Sequence, residues 1–201
     1  MKKFSFHIVI TVICLIVIYF FIKEKRELSY YKTKIVENNK IVNDLSLLNE
    51  TLIKNQDIQN KFNVSKLHNS IIVNTSGRQE KLADVIGKNN FLVFYINKNA
   101  CDICIKQEIG IFKRAFMNTE KTNVIFLTNY ENIRQIINFQ NLNNINYPTY
   151  IIEDSVIRVN AVTPVVFTLN NLLEIKSAYI TSKNLPKLSE GYYNNVKEII
   201  Q

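Results

Sequence analysis

Asn89-Asn90-Phe91-Leu92-Val93-Phe94-Tyr95-Ile96-Asn97-Lys98-Asn99-Ala100-Cys101-Asp102-Ile103-Cys104 is the stretch on which the fold turns. Residues 91–97 are almost entirely apolar, as expected of a strand covered on both faces. From Asp102 to Phe116 the period becomes helical, with Ile103, Ile109, Phe112, Ala115 and Phe116 spread over a broad apolar face. The two cysteines therefore follow a buried strand and open a helix. In open α/β sheets, chemistry collects beyond the C-terminal ends of such strands.

From about residue 64, short apolar runs alternate with helical ones. Strands are expected over 70–74, 91–97, 123–128, 165–169 and 173–180, and helices over 80–86, 102–116, 132–142 and 185–200. Asn170-Asn171 sits where the last two strands would turn as a hairpin. The order β-α-β-α-β-α-β-β-α predicts a three-layer α/β/α domain over residues 63–201. Its parallel strands would be joined by right-handed crossovers, with the hairpin as an antiparallel edge.

A thiolate is the nucleophile in disulfide exchange, and a free cysteine's pKa of ~8.5 leaves little of it at neutral pH. A helix N-terminus offers unpaired N–H groups and about half a positive charge, both of which favour the thiolate. Cys101 lies there, so it is the expected attacker. Cys104 is on the same face one turn on, able to close onto Cys101 and release a client from the mixed disulfide. A static or inert cysteine pair is the alternative. Structural zinc needs four ligands, and no further cysteine or histidine lies near this pair, so neither a metal nor a cofactor is expected. His7 and His68 read as ordinary polar residues.

The run NNFLVFYINKNACDIC with its long helix resembles the strand–CxxC–helix of thioredoxin-like proteins, especially the membrane-tethered thiol–disulfide oxidoreductases and redoxins of bacterial envelopes. Val162-Thr163-Pro164-Val165-Val166-Phe167 is similar to the family's loop before a buried strand. The resemblance implies a cis Pro164 facing the cysteines, with the Thr163 backbone free to pair with an extended substrate. It covers roughly residues 68–200. Several positions depart from the pattern. Ala100 stands where a Trp is usual, Asp102-Ile103 replaces Gly-Pro or Pro-Pro, and Tyr95 aligns with a buried acid. Gly110 lies near a helix-kinking proline position. Asp102 is expected to raise the Cys101 pKa by its charge. Glu108, one turn beyond Cys104, reads first as a solvated helix residue and alternatively as a proton relay to the resolving thiol.

Residues 1–22 read as a transmembrane anchor. Phe4 to Ile22 carries no charge other than His7, and at ~1.5 Å per residue it just crosses a ~30 Å hydrocarbon core. No small-residue cleavage site follows it, and bulky Ile13 before Cys14 argues against lipidation. Orientation stays open between two readings. The Lys and Arg count after the run would hold the domain in the cytoplasm. A short Lys2-Lys3 leader has the form of an uncleaved signal anchor. The second is favoured, placing the chain in a bacterial cytoplasmic membrane with an extracytoplasmic, periplasmic-side domain.

Residues 23–62 form a helical stalk free of Gly and Pro. Leu28, Tyr31, Ile35, Val42, Leu45 and Leu52 follow heptad spacing, which suits a homodimeric coiled coil or a lone amphipathic helix. The net charge of +8 is spread along the chain without basic blocks interleaved with aromatics, so nucleic acid is not an expected partner.

The leading expectation is a membrane-tethered thiol–disulfide oxidoreductase acting on protein disulfides, recycled by a redox partner. A copper metallochaperone of the same fold would suit a soft Cys pair. Such relatives add a distant histidine and space the cysteines by three, unlike this domain. A non-catalytic envelope interaction protein is the third reading. A peroxidase would need a threonine where Lys98 stands and an arginine near the thiol. Arg158 is the only arginine just before Pro164.

Overall fold

The structure is a computed structural model that describes residues 2–62, 65–116, 123–153, 155–157 and 162–200, without the side chains of 2–12, 14, 59 and 62. Arg158 and the Cys14 side chain thus lie outside the described residues. The chain divides into two compact units, residues 1–49 and 50–201.

Helix α1 runs Lys2–Phe62 and contributes to both. In the first unit Ile13 and Leu15 to Ile22 are all exposed, as are Leu28, Tyr31, Ile35, Val42 and Leu45 of the heptad stripe. Among the described residues no helix is long and apolar enough to cross a membrane. Much of the apolar run, 4–12 and Cys14, has side chains outside the described residues.

Among the described residues the second unit is built on one seven-stranded sheet. In chain order its elements are β1 (Ile71–Asn74), β2 (Gln79–Lys81), α2 (Leu82–Ile86), β3 (Phe91–Ile96), α3 (Asp102–Ala115), β4 (Val124–Thr128), α4 (Ile133–Asn143), β5 (Thr149–Ile151), β6 (Val165–Leu169), β7 (Ile175–Ile180) and α5 (Pro186–Ile200). The strands lie in the order β2-β1-β5-β4-β3-β6-β7. β3–β4 and β4–β5 are parallel, whereas β1–β2, β1–β5, β3–β6 and β6–β7 are antiparallel. The parallel core is therefore narrower than expected, and β2 and β5 are additional strands. Each is only three residues long. So short a run shows no clear alternation, and its pairing comes from neighbours rather than from its own pattern.

Alternation along β3 sets the two faces of the sheet. Leu92, Phe94 and Ile96 face α3, α4 and α5, where they meet Ile105, Ile109, Phe112, Phe139, Tyr193 and Val196. Phe94 sits at the centre of that layer. Its ring stacks on Phe126 at 4.7 Å and meets Phe112 edge-on at 4.9 Å. Val93 and Tyr95 face the other way, towards Leu82 and Ile86 of α2, Leu67, Ile152 and Ile157, with Ile58 of α1 packed alongside. Two caps fix the helices beside the sheet. Asn132 accepts from the Gln135 N–H at 3.0 Å to open α4, and Cys101 is the N-cap of α3.

Candidate active site: a cysteine-capped helix, a proline loop and a buried acid

β3 ends at Ile96, and the chain turns through Asn97, whose side chain accepts from the Asn99 N–H at 2.9 Å. Asn129, past the end of neighbouring β4, accepts from the Lys98 N–H at 2.6 Å. These bonds deliver Cys101 in an extended conformation (φ −68°, ψ 119°) directly before the first turn of α3. Its sulfur accepts from the Cys104 N–H at 3.4 Å, the bond an N-cap side chain makes. Cys101 is partly exposed and Cys104 is buried, and both are free thiols. The attacker and resolver expected from the spacing are thus separated by exposure.

The two sulfurs also differ in acidity. Hydrogen bonds from the Cys104 side chain and N–H hold the Cys101 thiol below its ordinary value against the effect of burial, with smaller help from the Ile103 N–H and the Lys183 charge. Burial, together with the bond to Cys101 and its charge, pushes Cys104 up to about 11. The expected influence of Asp102 is absent from Cys101. Its charge acts instead on Tyr130, whose hydroxyl is pushed up chiefly by burial. Asp102 is exposed as the first residue of the helix.

Thr163 and Pro164 are brought to the cysteines. The Cys101 N–H donates to the Val162 carbonyl at 2.9 Å, joining the nucleophile's backbone to the loop. The loop is braced from β7's end. The Thr181 N–H donates to the Pro164 carbonyl at 3.1 Å, and the Thr163 hydroxyl donates to the Thr181 carbonyl at 2.9 Å. The expected cis bond is not found, since no peptide bond among the described residues is cis. The tertiary hydrogen bonds on either side place the loop without it. Ile103, two residues after Cys101, and Val162, bonded to its N–H, leave 70% and 68% of their surface in solvent, so the partly exposed thiol is flanked by two large exposed apolar residues.

Glu108 departs furthest from its first reading. It is 2% exposed, facing inward from α3 rather than out to water. Its Oε1 accepts from the Tyr193 hydroxyl at 2.5 Å and its Oε2 from the Ser189 hydroxyl at 2.9 Å. The Tyr179 hydroxyl lies 3.2 Å from Ser189 Oγ and donates to it while the serine's one hydrogen is given to Glu108, a bond that can reverse when that hydrogen is freed. Burial pushes the carboxyl up, and the two hydroxyls work against it. Cys104 and Glu108 are four residues apart on one helix, which makes them neighbours on the same face. That spacing is a signal in the sequence: 104, 105, 108, 109 and 112 form a single inward stripe, and Glu108 is in it. Tyr193, Ser189, Tyr179 and Lys183 carry no comparable signal, because they arrive from about eighty residues away. Among the described residues no group of three or more His, Cys, Asp or Glu side chains is placed to hold a metal ion.

A parallel β3–β4–β5 core, an antiparallel β6–β7 pair, a helix opened by a cysteine and a proline loop bonded to it define a thioredoxin-like fold. No family model matches the chain, and no curated protein matches it in sequence. Solved structures do match. A candidate DsbE thiol:disulfide interchange protein from Chlorobium tepidum aligns with a TM-score of 0.54 at 10% identity, over 68% of this chain and 96% of that one. The thioredoxin domain of a thiol-disulfide oxidoreductase from Bacteroides vulgatus gives 0.51 at 11% identity, over 68% and 96%. A candidate protein disulfide isomerase from Bacteroides thetaiotaomicron gives 0.50 at 14% identity, over 68% and 88%. At these identities the likeness establishes the fold.

Proposed function

We propose that the chain is a membrane-tethered thiol–disulfide oxidoreductase acting on protein disulfides, with Cys101 as nucleophile and Cys104 as resolver. The observation that carries the reading is the asymmetry of the pair: an accessible thiol of lowered pKa capping a helix, and a buried partner of raised pKa one turn behind it. Only thiolates attack disulfides, so this arrangement orders the two steps.

The Cys101 thiolate attacks one sulfur of a client disulfide. The client's S–S bond breaks, and its second sulfur leaves as a thiolate. Cys104 then gives up its proton and attacks the Cys101 sulfur, closing a Cys101–Cys104 disulfide and releasing the client as a dithiol. Two electrons have passed from the pair to the client, and an external dithiol partner restores them. Run backwards, the same steps oxidise a client.

Glu108 supplies a destination for the Cys104 proton. An ordinary solvated carboxylate is a poor base for a thiol, and burial raises Glu108 towards a more useful range. Protonated, Glu108 would donate to Ser189, which would then donate to Tyr179. The reversible Ser189–Tyr179 bond lets the network hold both states. Thr163 and Pro164 would receive an extended client segment, and exposed Ile103 and Val162 favour an apolar residue beside the client's cysteine.

The anchor in residues 1–22 and an extracytoplasmic domain are part of the proposal and rest on the apolar run, its Lys2-Lys3 leader and the continuous helix Lys2–Phe62. The exposed heptad stripe is the surface through which a second copy would pair, and sedimentation of the full chain tests that point.

Cys104→Ser provides the main test. It should accumulate covalent client adducts on Cys101, visible as reductant-sensitive bands on a non-reducing gel, whereas Cys101→Ser should give none. A wild-type pair that stays reduced and unlabelled by a membrane-impermeant maleimide in intact cells would defeat both the redox reading and the proposed sidedness.

A further inference from the structure

Asn55 is an exception within α1. Lys54, Gln56 and Asp57 around it are exposed, yet Asn55 is buried, with 6% of its surface in solvent. A buried amide must spend its donors and acceptor locally. Its Oδ1 accepts from the Ile180 N–H at 2.5 Å, and its Nδ2 donates to the Thr51 carbonyl at 3.0 Å. The orientation is fixed by chemistry, since only the oxygen can accept from an N–H.

Among the described residues β7 is the last strand of the sheet, so its outer N–H groups have no strand beyond them there. The chain itself occupies both ends of that edge. Near the start, Leu67 N–H donates to Leu173 O at 2.8 Å and Ile175 N–H to Ser65 O at 3.2 Å. At the finish stands Asn55. One residue past Ile180 is Thr181, whose N–H and carbonyl hold Pro164 and Thr163. One residue before Thr163 is Val162, which accepts from the Cys101 N–H. An unbroken series of short bonds thus runs from the end of α1 to the nucleophile.

We propose that Asn55 is a positioning residue for the proline loop: by holding the Ile180 amide it fixes Thr181, and through it the Thr163-Pro164 backbone beside Cys101. The final turns of α1 are then a working part of the site rather than a spacer. In its kinetic consequences this rests on the oxidoreductase reading; in its structural consequences it does not.

The test uses the full-length chain in detergent, with two readouts. Amide hydrogen exchange of Asn55→Ala should quicken at Thr181 and Cys101 as well as at Ile180. Faster exchange at Ile180 alone would overturn the proposal, because the bond would then be purely local. For kinetics, insulin presents a main chain to the loop, and bis(2-hydroxyethyl) disulfide presents none. Asn55→Ala should lower kcat/KM for insulin roughly tenfold through KM, and leave the small disulfide within about twofold. Equal losses on both substrates would also overturn it. If Asn55→Ala does not fold, Asn55→Gln, which displaces the carbonyl by one methylene, carries the same comparison. A wild-type protein inactive on both disulfides would count against the oxidoreductase reading, and the exchange measurement would still decide the role of Asn55.

Discussion

Replacing Glu108 by Gln probes the least expected feature of the site. The carboxyl is 2% exposed, bonded by the hydroxyls of Tyr193 and Ser189, and no ion pair to it is found among the described residues. Burying a carboxylate costs several kcal/mol after relaxation. Two hydrogen bonds to a charged acceptor return about 1.5–3 kcal/mol each. The terms nearly cancel, and the raised pKa says burial wins. Glutamine has the same shape. Its oxygen can accept from Tyr193, and its amide can donate to Ser189 once the Ser189–Tyr179 bond reverses. The sign follows from the raised folded pKa. Below the unfolded value of about 4.3 the acid is neutral in both states and carries no penalty. As pH climbs through the folded value, ionisation is forced on a buried group and wild-type stability is lost. Glu108→Gln should therefore match wild type within about 0.5 kcal/mol near pH 4 and exceed it by about 1–2 kcal/mol near pH 8. At about 2–4 °C per kcal/mol for a domain of this size, Tm should rise by about 2–8 °C at the higher pH only. Thermal unfolding of the reduced chain, followed by circular dichroism at several pH values, reads this directly. A difference that does not change with pH, or a loss of stability at pH 8, would refute the reasoning. In the same variant, closure of a preformed mixed disulfide by Cys104 should slow by about 10²-fold if Glu108 takes its proton.

Alkylation of Cys101 by iodoacetamide should reach half its maximal rate below the ~8.5 of an ordinary cysteine, while Cys104 stays unmodified until pH nears about 11. Mass spectrometry of differentially labelled protein separates the two, and comparable labelling of both at pH 8 would contradict the assignment of roles. Phe94→Ala, which empties the space between Phe112, Phe126 and Tyr193, should cost about 3–5 kcal/mol in denaturant melts. The Thr181 hydroxyl is buried with no hydrogen-bond partner among the described residues. Thr181→Val should accordingly stabilise the domain by about 1 kcal/mol, measured by the same melts.

Local pattern determined much of this protein before any fold was known. The apolar run 91–96 reads as a covered strand, the apolar stripe after Cys101 reads as a helix, and their junction places a thiol at a helix N-terminus. Those features depend on period and capping, which a few adjacent residues carry. Even the burial of Glu108 was latent in its register with Cys104 and Ile105. What remained belongs to contacts made across long stretches of chain. β5 is a strand because β4 and β1 flank it, and the sheet is mixed because β1 and β6 pair antiparallel with their neighbours. Glu108 became an acid held by hydroxyls only when α5 laid Ser189 and Tyr193 over it. Asn55, indistinguishable from the other asparagines of its helix, acquired a role only when the edge of β7 met it. A side chain's period records which way it faces; what it faces is decided by loop closure and packing between distant segments, and no local pattern encodes that.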